Sequence, residues 1–400
     1  MKLSKALDPE CAKRRAFVVK WIGSLTLAVI VLACASGAIA QGAAPGAAAT
    51  LPAGGFGRMR GDGPAPKPRP FSFTRANSGF DKLIARDAKV RLVASGFKLD
   101  EGTTWVRERG GRGFLLVGGL IDNVLYKVTA DGVVSVFMEK AGYTGDDVDN
   151  VGAQTRAGRS HVLLIGPSCS GVDPQGRILW CADDDREVMR LEKDGTHTVV
   201  SSGANGKRFN GPNDISIKAD GAIYLADNDF GLRGASKSPL KEMADAVWLI
   251  KDGSTTRLLT DAQLGGIPNG ITLSPDGQYL YLSAGFGKMM RYPVKPDDTL
   301  GPGRLFTEGV GIGDGMRADS EGNIYSTNGA GPGIVRITSP DGRFLGSINL
   351  PIVGGEPKRQ ICATNLAFGD KDGKTLYIAA CDAVYKVRLK VPGVLEGPPP

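Results

Sequence analysis

Five segments of the chain share one layout: a polar residue opens a short apolar run, and a turn glycine stands eight positions later. They are Ser168 to Gly176, Asn213 to Gly221, Asn269 to Gly277, Asp314 to Gly322 and Asn365 to Gly373. A sixth, looser unit opens at Glu101 and continues through Phe114-Leu115-Leu116-Val117. Successive openings lie 67, 45, 56, 45 and 51 residues apart. Repeats of that size, built from short strands, are the blade period of a β-propeller, with an insertion after the first unit. The apolar runs are rich in Val, Ile, Leu and Tyr, and the turns between them read Asp220-Gly221, Asp276-Gly277, Glu321-Gly322 and Asp372-Gly373. Asp-Gly suits a hairpin because both residues tolerate positive φ. The 57 glycines follow from many such turns, since no Gly-X-Y period exists. No 3.6-residue amphipathic stretch appears; Pro239 to Ala246 reads as a short insertion. The expectation is an all-β chain, a six-bladed β-propeller over residues 85–391 with a tail at 392–400. The run Lys89-Val90-Arg91-Leu92-Val93 can complete the last blade by pairing near Val384-Tyr385-Lys386-Val387, which removes two exposed sheet edges.

The N-terminus has a different character. Lys13-Arg14-Arg15 precede an apolar run from Trp21 to Ala33, and Ala38-Ile39-Ala40 gives a small-x-small cleavage pattern before Gln41. Residues 1–40 are therefore read as a signal peptide, with Arg14-Arg15-Ala16-Phe17-Val18 resembling a twin-arginine signal. Residues 41–84 begin Ala/Gly/Pro-rich, show no apolar period, and are read as a flexible linker. The net charge of +7 is confined to these regions, because residues 76–400 carry about −1. No nucleic-acid partner is expected, nor stable membrane insertion once the signal is cleaved. The expected location is exported, periplasmic or secreted. Four cysteines would then remain, Cys169, Cys181, Cys362 and Cys381. Each pair flanks a turn, and both cross-hairpin disulfides and free buried thiols are open.

In a propeller the first strand of each blade lines the central channel, so equivalent opening residues converge. Here they are Glu101, Ser168, Asn213, Asn269, Asp314 and Asn365. Carboxylate and carboxamide oxygens are hard ligands suited to Ca²⁺ or Mg²⁺, and two carboxylates neutralise a dication. The two histidines, His161 and His197, stand at no unit opening, which argues against a His-rich zinc centre. The expected cofactor is Ca²⁺ or another divalent ion such as Mg²⁺ or Zn²⁺. Asp183-Asp184-Asp185 follow a strand, as does Asp227; Asp183 and Asp227 are candidates for contact with sugar-like hydroxyls.

The runs Arg208-Phe209-Asn210-Gly211-Pro212-Asn213-Asp214, Ile267-Pro268-Asn269-Gly270-Ile271 and Gly313-Asp314-Gly315-Met316 resemble the gluconolactonase/regucalcin (senescence marker protein) family, over roughly residues 90–390. The resemblance implies a six-bladed propeller with Ca²⁺ or another divalent ion in the channel, and lactone hydrolysis in many members. By motif it implies Glu101, Asn213, Asn269 and Asp314 as metal ligands, Asn213 also as a substrate contact, and Asp314 as general base or nucleophile. The sequence departs from the family where its members usually read Ser-Asn-Gly and Cys-Glu-His in the second blade. Here those stretches are Ser168-Cys169-Ser170 and Cys181-Ala182-Asp183, and the first blade carries Val117-Gly118-Gly119-Leu120 in place of a run with Asp. The expected function is metal-dependent hydrolysis of a lactone or related ester, with a small-molecule, sugar-like substrate. The alternative is a non-catalytic exported metal-binding propeller that holds a small ligand or a protein partner.

Overall fold

The computed structural model describes residues 67–157, 160–285, 287–311, 313–330, 333–352 and 362–399. The proposed signal peptide and the start of the linker lie outside the described residues. The chain is all-β. Its organising element is one 18-residue strand, Arg91–Glu108, which serves two sets of partners. Its first half pairs with Cys381–Arg388 (Arg91 opposite Lys386, Leu92 opposite Tyr385) and its second half pairs with Arg112–Gly119 (Trp105 opposite Leu115). The expected pairing between the two ends of the repeat region is present. Strands from residues 91–139 and 366–388 consequently form one seven-stranded sheet.

Three four-stranded antiparallel sheets follow along the chain, spanning Cys169–Ser201, Pro212–Arg257 and Pro268–Glu308, each in simple meander order. The next sheet, Met316–Asn349, gains a fifth strand at its edge from Ser72–Arg75, which pairs with Phe344–Asn349. All five repeat glycines, Gly176, Gly221, Gly277, Gly322 and Gly373, have φ between 66° and 94°, the left-handed region the hairpin turns require. The first strands of successive sheets lie against one another in chain order, and Leu366–Gly369 lies against Arg91–Glu108.

The core sits between the sheets. Cys169, Leu179 and Val188 meet Ile215, Leu225 and Trp248. Tyr224 and Val247 meet Ile271 and Leu282, and Tyr325 and Ile337 meet Leu366 and Ile378. Inner strands are covered on both faces, which is why runs such as Ile223–Asp227 are buried at every position rather than at alternate ones.

Two boundaries differ from the sequence reading. The end of the supposed linker is packed: Phe80, Leu83 and Ile84 are buried in the cluster that also holds Ile348 and Leu366. The aromatic residues Phe71, Phe73 and Phe80 supply enough apolar surface to hold this segment down. The supposed tail also folds back. Val394 N donates to Ala318 O at 3.1 Å and Gly393 N to Gly373 O at 2.9 Å. Both cysteine pairs are bridged, Cys169 to Cys181 directly across a hairpin and Cys362 to Cys381.

Candidate metal and substrate site

Glu101, Asn213 and Asn269 share a local backbone device. Between Glu101 and Thr104, between Pro212 and Asp214, and between Pro268 and Ile271, the ladder slips so that one extra residue stands on the first strand of the sheet. A bulge of this kind re-aims the side chain at that point and ends regular pairing. Asp314 lies two residues before its strand, and its N–H donates to Thr327 O at 3.2 Å. The glycine after a ligand candidate is needed for close approach. A Cβ on Gly270 would stand 1.9 Å from the Asp314 carbonyl oxygen, and one on Gly102, whose φ is +56°, would stand 2.8 Å from Cys169 Cα. The polar-Gly signature thus records how closely neighbouring first strands approach.

The four side chains line one cavity of about 130 Å³, together with Ser168, Asp183 and Thr364; Leu99, Leu120, Leu164 and Phe230 form its apolar wall. Glu101 and Asn269 are 7% and 6% exposed, while Asn213 and Asp314 are half-buried. Burial, then the nearby Asp314 charge, holds Glu101 well above the usual carboxylate range. Burial, reinforced by Asp214 and opposed by a hydrogen bond from Asn269, pushes Asp314 up to about 8. The burial of two carboxylates this close is unfavourable unless something positive joins them.

The residues fit a hard divalent cation. Glu101 Oε2 and Asn269 Oδ1 are buried acceptors with no hydrogen-bond partner, and both belong to the cavity's lining residues. The donor set is all oxygen, two carboxylates and two carboxamides, which suits Ca²⁺ or Mg²⁺ better than Zn²⁺. Among the described residues no three His, Cys, Asp or Glu side chains converge as a metal group. The candidate set depends on its two asparagines.

The other openings behave differently from one another. Ser168 lines the cavity, with Oγ donating to Pro212 O at 2.5 Å. Asn365 is fully buried and supports: its Nδ2 donates to Glu101 Oε1 at 3.2 Å, and its Oδ1 accepts from Thr103 Oγ1 at 3.3 Å. Asp183 lies on the cavity wall, one oxygen buried without a partner. Burial first and the Asp227 charge second push it up to about 8.

Asp227 is corrected. It is fully buried and outside the cavity lining, its carboxylate accepting from Asn210 N at 2.9 and 3.1 Å, Gly211 N at 2.9 Å and Trp248 Nε1 at 3.3 Å. It fixes the loop that leads into Asn213 and has no oxygen free for a substrate hydroxyl.

Phe230 and Thr364 were not singled out from sequence. Phe230 sits on a short turn that Asn228 caps, Asn228 Oδ1 accepting from Phe230 N at 2.9 Å. An aromatic residue within a turn-forming run, Asn228-Asp229-Phe230-Gly231, is the signal the sequence offers for Phe230.

Comparison with known proteins agrees with this geometry. A family model described as the SMP-30/Gluconolactonase/LRE-like region matches residues 145–382. A gluconolactonase of Zymomonas mobilis is 30% identical over 341 residues, covering 80% of this chain and 86% of that protein. Two solved structures share the fold: a gluconolactonase from Xanthomonas campestris (TM-score 0.63, 24% identity, covering 82% of this chain and 99% of that one), and a calcium-binding protein, regucalcin, from Agrobacterium tumefaciens (TM-score 0.56, 19% identity, covering 78% and 97%). The family-model match over residues 145–382 and the 30% identity over 80% of the chain give one assignment: the chain belongs to the SMP-30/gluconolactonase/LRE-like family.

Proposed function

We propose that this chain is an exported six-bladed β-propeller that hydrolyses a lactone or related ester with the help of a divalent cation, Ca²⁺ being the expected ion. The observation that carries the reading is the single cavity formed by Glu101, Asn213, Asn269 and Asp314, with two buried acceptor oxygens unpartnered, on a chain 30% identical to a gluconolactonase. The six blades are supported by the ring of contacts among first strands and by the division of Arg91–Glu108 between two sets of partners. Export is supported by two disulfides, which persist in oxidising compartments, and by the basic-apolar-small order of residues 13–40.

A bound cation supplies Lewis-acid polarisation of the ester carbonyl. The remaining work falls to the chain. The Asp314 carboxyl, raised to about 8 by burial, would ionise beside a cation, and in that form it takes a proton from the attacking water as the water oxygen bonds to the carbonyl carbon. The ring C–O bond then breaks, and the same proton passes to the departing alkoxide. Asn213 orients the substrate. Asp183, protonated at neutral pH, donates a hydrogen bond to a substrate hydroxyl. Leu99, Leu120 and Phe230 exclude bulk water from the reacting centre, which strengthens each polar contact there.

The test is acid release from a panel of sugar lactones, followed in a weakly buffered indicator assay with Ca²⁺ and after EDTA. Expected are ring opening above the spontaneous rate, its loss on chelation, and a fall of about 10²-fold or more in Asp314→Asn. Calcium binding without opening of any lactone sinks the hydrolytic reading and favours the non-catalytic propeller.

A further inference from the structure

The C-terminal residues 392–399 return to the first strands at a depth about three residues, or roughly 10 Å, beyond the cavity. Pro392 O accepts from Ser320 N at 2.9 Å, and Gly393 and Val394 bond to Gly373 and Ala318. The segment then reaches the opposite sheets. Arg107 Nη2 donates to Glu396 O at 2.9 Å and also to Gly397 O. The Glu396 side chain points inward: its Oε2 accepts from Thr104 Oγ1 at 2.9 Å and from Val172 N at 3.0 Å. Its Oε1 lies 3.9 Å from Arg317 Nε.

Arg317 is 8% exposed and is shared between the tail and the layer under the ligands. Its Nη1 donates to Met316 O at 2.8 Å and lies 3.8 Å from Asp214 Oδ1, while its Nη2 donates to Thr103 O at 3.3 Å. Asp214 in turn accepts from Ile215 N at 2.9 Å and from Ile271 N at 3.1 Å. Those amides follow Asn213 and Asn269 by two residues each. On the other side Thr103 reaches Asn365, which holds Glu101. One guanidinium therefore touches the supports of three of the four ligand candidates, and Glu396 is the carboxylate that opposes it.

We infer that the C-terminal segment braces the ends of the first strands beyond the cation cavity, where it borders a second cavity of about 470 Å³, and that Glu396 and Arg317 are positioning residues for the cation site. The inference rests on the cation reading given under Proposed function. A buried Arg beside a single carboxylate would pull Asp214 away from the two amides it receives; Glu396 balances that pull and keeps Asp214 on the Asn213 and Asn269 strands. Removing its charge also leaves one more net positive charge beneath the cation.

The test compares the unaltered chain, E396Q, and a chain ending at Val391, by calorimetric titration with CaCl₂ at 25 °C after circular dichroism shows each to be folded. Glu396→Gln keeps the length and an acceptor for Thr104 and Val172 while removing the charge. The expected result is a calcium Kd raised about fivefold or more in both variants, within the range of ordinary coupling between sites, and a smaller rise in Tm on adding CaCl₂. A segment that only adds stability would lower Tm equally with and without calcium and leave Kd unchanged; that result overturns the inference. If the shortened chain does not fold, E396Q decides alone. Absence of calcium binding by the unaltered chain overturns this inference together with the proposed cation site, whereas equal binding by all three overturns this inference only.

Discussion

Asp183 and Asp227 show how a buried carboxyl takes its role from its partners. Asp227 accepts three backbone N–H bonds in all from Asn210 and Gly211 and one from Trp248, and so holds a loop. Asp183 has an oxygen without a partner on the cavity wall. Folding raises the Asp183 carboxyl to about 8, burial being the larger cause and Asp227 the lesser. The folded state therefore holds a proton that the unfolded chain releases near the ordinary value of 3.8. The stability tied to that proton is full below this value and is lost as pH rises through about 8. Asp183→Asn, which cannot ionise, should gain stability relative to the unaltered chain between pH 5 and pH 9, by about 1–3 kcal/mol at the upper end. Urea melts in EDTA at both pH values check this; a difference independent of pH counts against a raised Asp183. In sequence both aspartates simply follow a strand, and nothing there tells which way each side chain turns. The same limit applies to Asn365, which stands in register with Asn269 and Asp314 yet supports Glu101 from behind.

Among elements, the first strand of each sheet carries most of the site. A one-residue bulge places Glu101, Asn213 and Asn269, and the glycine after Glu101, Asn269 or Asp314 lets a neighbouring strand come close. Gly270 is the tightest case, because the carbonyl of Asp314 occupies the space a Cβ would take. Gly270→Ala should therefore push apart the strands that carry Asn269 and Asp314. A loss of about 3 kcal/mol or more is expected from forced overpacking against backbone, together with loss of hydrolysis. Equilibrium unfolding and the lactone assay measure the two effects, and a stable, active Ala variant would contradict this account of the motif. The repeat offset was legible because a hairpin of fixed length demands a positive-φ glycine at a fixed place. The bulges were not, since an extra residue is defined only against its partner strand. Residues 72–84 carry no linker-breaking signal in sequence for a related reason: their apolar side chains are sparse, and the sheet edge at Phe344–Asn349 gives them a surface to pack on.

At the scale of the whole molecule, the proposed cation would join parts of the chain more than 200 residues apart, from Glu101 to Asp314. Such an ion would bind the folded chain and not the unfolded one, and so would stabilise by mass action. At a free Ca²⁺ concentration of 100 times Kd the expected gain is about 2.7 kcal/mol, seen as a higher Tm that EDTA reverses. An unchanged Tm after full chelation of a loaded sample would argue against a tight site. The sequence by itself determined the all-β class, the repeat period, the pairing strand at Arg91 and the six oxygen-bearing openings Glu101, Ser168, Asn213, Asn269, Asp314 and Asn365. These follow from local rules: turn geometry, strand propensity and a register that repeats. Only the tertiary structure decided that Asp227 is a loop clamp, that Asn365 is a support, that Phe230 and Thr364 border the cavity, and that Glu396 meets Arg317 beneath it. Those outcomes depend on which strands become neighbours and on which face a side chain leaves the backbone, and packing of distant segments sets both.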